Sequence, residues 1–239
     1  MINSNSLEFQ HTIKDEIFFE GTGLHSGEKC QIRLNPAPEN YGIKFLYKDK
    51  GLEIPASLEY VKINKRGTNL TKNGVTICTV EHLLSALKGL NIDNVKIIIS
   101  GNELPIFDGS SWNYVEAIVR SGCKKQNETR KEFIVKTPIS FKSSQGVQFY
   151  LLPDSEFKLS YHLRYKNIPF LNSSLTIDVN YDNYYNEIAK ARTFCLLSEI
   201  LLLYRENLIK GGSLDNAWVF IDKKISKEDI EQLQTLFGI

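Results

Sequence analysis

The chain has 239 residues, enough for one large domain or two small ones. Hydrophobic residues make up 42% and charged residues 24%, the balance of a globular protein rather than a disordered or membrane-embedded one. A net charge of +1 removes the electrostatic ground for expecting a nucleic-acid partner.

"KCQIRLNPAP" alternates Cys30, Ile32 and Leu34, the period of a half-buried strand, and prolines stop it. "GIKFLY" at 42–47 predicts a second strand. A helix is predicted from Glu81, with Leu83, Ala86, Leu87 and Leu90 on one stripe and Thr79 as its N-cap. "VKIIIS" at 95–100 is short and β-branched, hence a strand. "DGSSWNYVEAIVRSG" predicts a second helix. Its cap is Asp108 or Ser110, its buried face Trp112, Val115, Ile118 and Val119, and its stop Gly122.

The charged stretch 123–131 reads as a solvated linker between a first unit, 1–122, and a second, 132–239. Beyond it "EFIVK", "GVQFYLL", "FKLSYHLRY" and "SSLTIDV" read as strands. A helical region begins near Tyr184, and another runs through "LLSEILLLYRENL". "GGSLDNAWVFI" is expected to end in a buried strand. "SKEDIEQLQTLFGI" then offers a helix with Ile230, Leu233 and Leu236 on one face. Both halves thus run strands, helix, strand, helix.

Cys30, Cys78, Cys123 and Cys195 form no C-x-x-C pair, so neither a zinc ribbon nor a dithiol redox motif is expected. "MINSNSLEFQHTIKDE" lacks the apolar core of a secretion signal. The longest apolar run, "CLLSEILLLY" at 195–204, is broken by Ser198 and Glu199 and is too short to span a bilayer. No transmembrane segment is expected, and the simplest compartment is the reduced cytoplasm.

In "TVEHLLSAL", 79–87, Glu81 and His82 stand side by side where the first helix begins. Glutamate is favoured in a first helical turn by the macrodipole alone. The chemical reading is that a neutral imidazole can ligate zinc while a neighbouring carboxylate acts as general base on water. At the first turn both side chains can reach a cleft beyond the helix end.

Three longer stretches decide between these readings. "GTGLHSGEKCQIRLNPAPENYGIKF" at 21–45, "TVEHLLSALKGLNIDNVKIIISGNELPIFDGSSWNYVEAI" at 79–118, and "ARTF" with "LIKGGSLDNA" at 191–217 together resemble the bacterial UDP-3-O-acyl-N-acetylglucosamine deacetylases. The resemblance implies a zinc-dependent deacetylase of lipid A biosynthesis. It implies an α+β fold of two similar domains, each a sheet with a helix pair on one face, and an active site at the domain junction. It makes His82 a zinc ligand, Glu81 the general base and Thr193 the group that steadies the oxyanion. Phe194, Gly212 and Ser213 would border the groove and the acyl passage, with Leu24 and His25 in the same cleft. The substrate is a UDP-linked acylated N-acetylglucosamine, and a monomer is expected.

The sequence departs from the family pattern in three places. Cys195 follows "ARTF" where a glycine is usual, and "YKNIP" at 165–169 replaces an "FxHP" segment. The family's other zinc ligands, a histidine and an aspartate, come from an "HKxxDxxGD" helix, and this sequence has no histidine after His162. The tail "IDKKISKEDIEQLQTLFGI" is similar to an insertion in members fused to a 3-hydroxyacyl-carrier-protein dehydratase. These features lead to an expectation of a second domain that is incomplete here, with one ligand in hand. A non-catalytic relative that binds a nucleotide sugar, an acyl chain or a protein is the alternative.

Overall fold

A computed structural model of the chain describes residues 8–64 and 66–237. The strands of the first half are β1 (Phe9–Ile13), β2 (Ile17–Thr22), β3 (Lys29–Pro36), β4 (Ile43–Tyr47), β5 (Leu52–Pro55), β6 (Val61–Asn64), β7 (Gly67–Lys72), β8 (Val75–Ile77) and β9 (Val95–Ser100). Helix α1 (Glu81–Gly89) precedes β9, and α2 (Trp112–Ser121) follows it. Alternation in β3 and β9 turns one face of each strand inward. They join a five-stranded sheet in the order β2-β3-β9-β4-β5, antiparallel except for β4 beside β9.

The α1 stripe behaves as expected: Leu83, Ala86, Leu87 and Leu90 are all buried. With Val115 and Ile118 of α2 they share one core with Ile32, Leu34, Ile97 and Ile99 of the sheet. Each of the Leu, Ile and Val side chains contributes about 1.5–3 kcal/mol on burial.

Three local expectations are corrected. Val80, not Thr79, is the α1 N-cap; Thr79 lies one residue upstream in the left-handed region, at φ 58°. In α2 the buried face takes Tyr114 in place of Val119, which is 38% exposed. The reason is polar: the Tyr114 hydroxyl donates to the Pro105 carbonyl at 2.7 Å, so the large ring can be buried with its tip satisfied. The stretch read as a linker contains β10 (Cys123–Thr129), which pairs antiparallel with β1. Arg130 fastens its far end, donating to both Asp93 oxygens at 2.7 and 2.8 Å.

The second half contains β11 (Ile139–Lys142), β12 (Gln148–Leu151), β13 (Lys158–Leu163), β14 (Ser173–Asp178), α3 (Tyr181–Asn183), β15 (Phe194–Leu196), α4 (Leu197–Arg205), β16 (Trp218–Phe220) and α5 (Lys227–Phe237). A π-helical turn, Tyr184–Ile188, continues α3. Among the described residues these strands pair only in twos: β11 with β12, β13 with β14, and β15 parallel to β16. "EFIVK" forms no strand, and its Phe133 and Ile134 are exposed. The "AWVFI" strand is not buried either: Trp218 is 58% exposed, because β16 has only β15 beside it. Ile230 of α5 is exposed, and the side chain of Leu236 lies outside the described residues.

Tyr184 and Ala189 of the second half enter the core of the first. Tyr184 is 2% exposed and sits over Gly89 of α1, where a Cβ would overlap its ring. Its hydroxyl lies 2.8 Å from the hydroxyls of both Ser85 and Ser111, and Ser111 donates onward to the Ala189 carbonyl at 3.0 Å. Gly89→Ala is therefore expected to cost about 1–3 kcal/mol by overpacking. Thermal unfolding should show a midpoint lower by roughly 2–10 °C. An unchanged midpoint would mean that Tyr184 does not rest on Gly89.

Candidate active site

Glu81 and His82 open α1. The Thr68 amide of β7 donates to Glu81 Oε2 at 3.1 Å and fixes one side of the carboxylate. Burial pushes the His82 ring below its ordinary range, against the opposing pull of Glu81, Asp108 and the Ser110 backbone. The ring is thus favoured neutral, the form that ligates a metal.

Beside His82 lies the turn Phe107–Ser110. Phe107 and Gly109 both adopt left-handed conformations, at φ 50° and 82°. Phe107 packs edge-on against Tyr114 with ring centroids 5.1 Å apart, and Tyr114 against Phe19 at 5.0 Å. Asp108 works as a turn-former: its Oδ1 accepts from the Ser110 amide at 3.1 Å and the Ser110 hydroxyl at 2.7 Å. Ser110 Oγ in turn accepts from the Trp112 amide at 3.0 Å, but the α2 N-cap is Ser111, not the expected Asp108 or Ser110, which shape the turn before it.

The "ARTF" segment docks on this turn. The Thr193 amide donates to the Gly109 carbonyl at 2.8 Å, and Arg192 Nε donates to the Asp108 carbonyl at 2.7 Å. A Cβ at Gly109 would overlap the Asn216 carbonyl, so only glycine permits the approach. Thr193 and His82 therefore border the same four residues. The Thr193 hydroxyl has no hydrogen-bond partner among the described residues. Phe194 stands 39% exposed beside Thr193, edge-on to Phe220 at 5.4 Å.

Leu24 and His25 meet the glycine turn of the second half. The Gly211 amide donates to the Leu24 carbonyl at 3.0 Å, and the Lys210 amide to the His25 carbonyl at 3.2 Å. Gly212 closes its turn onto the Ile209 carbonyl at 2.9 Å, and the Ser213 amide donates to Asn216 Oδ1 at 2.9 Å. His25 Nε2 lies 3.0 Å from the Arg66 carbonyl and is therefore the protonated ring nitrogen. Its Nδ1 is buried without a partner among the described residues.

Two residues that sequence reasoning passed over complete the surroundings. Arg66 donates to both oxygens of Glu199 on α4, at 3.3 Å and 2.5 Å, bridging the halves. Glu103 is buried between the His25 loop and Thr79. The only sequence signal for Glu103 is a carboxylate directly before the apolar "LPIF" run.

The donor set does not by itself fit a catalytic zinc. Among the described residues no three His, Cys, Asp or Glu side chains converge as metal ligands, whereas such a centre takes three protein ligands and water.

The arrangement, a carboxylate beside a neutral imidazole with a free hydroxyl across a shared turn, suits addition of water to a carbonyl. The comparisons with known proteins agree. The family model described as LpxC, UDP-3-O-acyl N-acetylglycosamine deacetylase, matches residues 10–234. The UDP-3-O-acyl-N-acetylglucosamine deacetylase of Thermodesulfovibrio yellowstonii is 38% identical over 219 residues, covering 92% of this chain and 75% of that protein. The bifunctional enzyme LpxC/FabZ of Bacteroides thetaiotaomicron is 39% identical over 233 residues, 96% of this chain and 50% of that one. The deacetylase of Legionella pneumophila strain Corby is 40% identical over 225 residues, 92% and 73% respectively. The chain thus spans about half of the bifunctional relative's length and about three quarters of the other two. It is an amide hydrolase by family. It belongs to the UDP-3-O-acyl N-acetylglycosamine deacetylase family, which serves lipid A biosynthesis. No helix among the described residues is long and apolar enough to cross a membrane.

A single imidazole holds zinc weakly, because affinity comes from several ligands in fixed geometry. The 239-residue chain, loaded with zinc and dialysed, is expected to retain well under one equivalent per chain by metal analysis. A full equivalent that disappears in His82→Ala would show that these residues assemble a donor set unaided.

Proposed function

We propose that the protein carrying this chain removes the acetyl group from a UDP-linked 3-O-acyl-N-acetylglucosamine. In this reading Glu81 is the general base, Thr193 steadies the oxyanion, and His82 is one ligand of the zinc the family resemblance implies. Leu24, His25, Phe194, Gly212 and Ser213 border the substrate groove. The observation that carries the reading is the shared turn: His82, with Glu81 beside it in the chain, and Thr193, 111 residues further on, border Phe107–Ser110 from two sides.

The chemistry follows from the side chains. The Glu81 carboxylate, oriented by the Thr68 amide, takes a proton from water as its oxygen adds to the acetamide carbonyl. The Thr193 hydroxyl, uncommitted to another group, can donate to the oxygen that gains charge. As the C–N bond breaks, the proton held by Glu81 passes to the amine nitrogen, and acetic acid leaves and ionises to acetate. Any zinc would need ligands in addition to His82.

Support for a site between two domains comes from the pairing of first-half loops with 192–194 and 210–216. The cysteines are free thiols, which fits a reduced cytoplasm. The proposed acting form is a monomer. That no metal-ligand cluster forms among the described residues favours one rival, a non-catalytic relative that binds a nucleotide sugar, an acyl chain or a protein partner.

The test is acetate release from UDP-3-O-acyl-N-acetylglucosamine by the protein carrying this chain, supplied with zinc. Wild type should turn over. Glu81→Gln should lose about 10²–10⁴-fold in kcat, the usual size of a general-base contribution, with KM little changed. Substrate binding without acetate release would favour the non-catalytic relative.

A further inference from the structure

Glu103 is a carboxylate with 4% exposure, in the segment that leads from β9 to the Phe107–Ser110 turn. Its Oε1 accepts from the His25 amide and from the Thr79 hydroxyl, each at 2.9 Å. Its Oε2 accepts from the Ser26 amide at 2.7 Å, and the Ser26 hydroxyl helps to keep the carboxylate charged. Burial alone would raise its pKa, but these donors together hold it below the usual carboxylate range. A carboxylate in this position stays charged and immobile because uncharged donors surround it.

The donors come from both parts of the candidate site. The His25 and Ser26 amides belong to the loop whose outer carbonyls, Leu24 and His25, receive the Gly211 and Lys210 amides. Thr79 stands two residues before Glu81, in a left-handed conformation that a β-branched residue rarely adopts. Its hydroxyl bond to Glu103 and its amide bond to Asn69 Oδ1 at 3.3 Å hold it there. A second route closes the circuit: His25 donates to the Arg66 carbonyl, and Thr68 donates to Glu81. Gly23 completes the packing, since a Cβ there would crowd the Glu103 carboxylate at 2.5 Å.

We propose that Glu103 is a positioning residue for deacetylation. Its carboxylate holds the 24–26 loop, with the glycine turn clamped on it, at one fixed spacing from the start of α1. Glu81 and His82 then meet the substrate that the loop and turn border. The inference rests on the function proposed above.

The experiment uses the active protein carrying this chain, with Glu103→Gln, Thr79→Ala and Thr79→Ser beside wild type and Glu81→Gln. Glutamine keeps the shape of Glu103 but sets an amide nitrogen against a backbone N–H. Glu103→Gln is expected to lower kcat per folded molecule at least about tenfold, as misplacement by a fraction of an ångström does. The His25 and Ser26 amides should lose hydrogen-exchange protection in the same variant. Thr79→Ala should lower kcat roughly three- to tenfold, and Thr79→Ser, which keeps the hydroxyl, should restore it to within about twofold. The Thr79 pair decides the matter if Glu103→Gln does not fold. Full-rate Glu103→Gln, or Thr79→Ala and Thr79→Ser with equal rates, overturns the inference while an active wild type and a dead Glu81→Gln leave the function standing. An inactive wild type overturns the function and this inference together.

Discussion

The close approach of Gly109 to the second half is the constraint on which the site depends. Thr193 can reach the His82 side of the molecule only if the backbone at Gly109 lies against Asn216, and no side chain fits between them. The turn that achieves this is left-handed at two positions. A phenylalanine in that conformation is costly, and here the Phe19–Tyr114–Phe107 cluster offsets it from below. Asp108 and Ser110 lock the turn through side-chain bonds, so their carboxylate and hydroxyl serve geometry.

Burial then sets the chemistry. His82 stands at the end of a helix whose inner face is fully packed, and desolvation favours its neutral ring. Glu81, one residue earlier, is half-buried and oriented by the Thr68 backbone. One helix start thus carries two side chains of different character, Glu81 beside β7 and His82 beside the Phe107–Ser110 turn. Tyr184 secures the arrangement from the other side, because a second-half aromatic that fills the groove over Gly89 holds the halves in one register.

Much of the first-half core was legible. The stripe on α1, the alternation in β3 and the Gly122 stop are local signals, and each appears where its period places it. What was not legible depended on distant partners. Residues 123–129 carry lysine, glutamine, asparagine and glutamate on an exposed strand, and only backbone pairing with β1 makes them one. Tyr114 displaced Val119 because a carbonyl nine residues away receives its hydroxyl. At the site, Glu81, His82 and Thr193 came from motif resemblance. The turn that joins them, the Arg66–Glu199 bridge and the buried Glu103 exist only in three dimensions.

The central claim is that Glu81 and Thr193 act as one site across the Phe107–Ser110 turn. The most direct measurement is a double-mutant cycle on kcat/KM for deacetylation with Glu81→Gln, Thr193→Val and the double variant. Groups that serve one transition state are non-additive, so the double variant should be little slower than Glu81→Gln alone. Losses that simply multiply, or a Thr193→Val variant at the wild-type rate, would contradict the account.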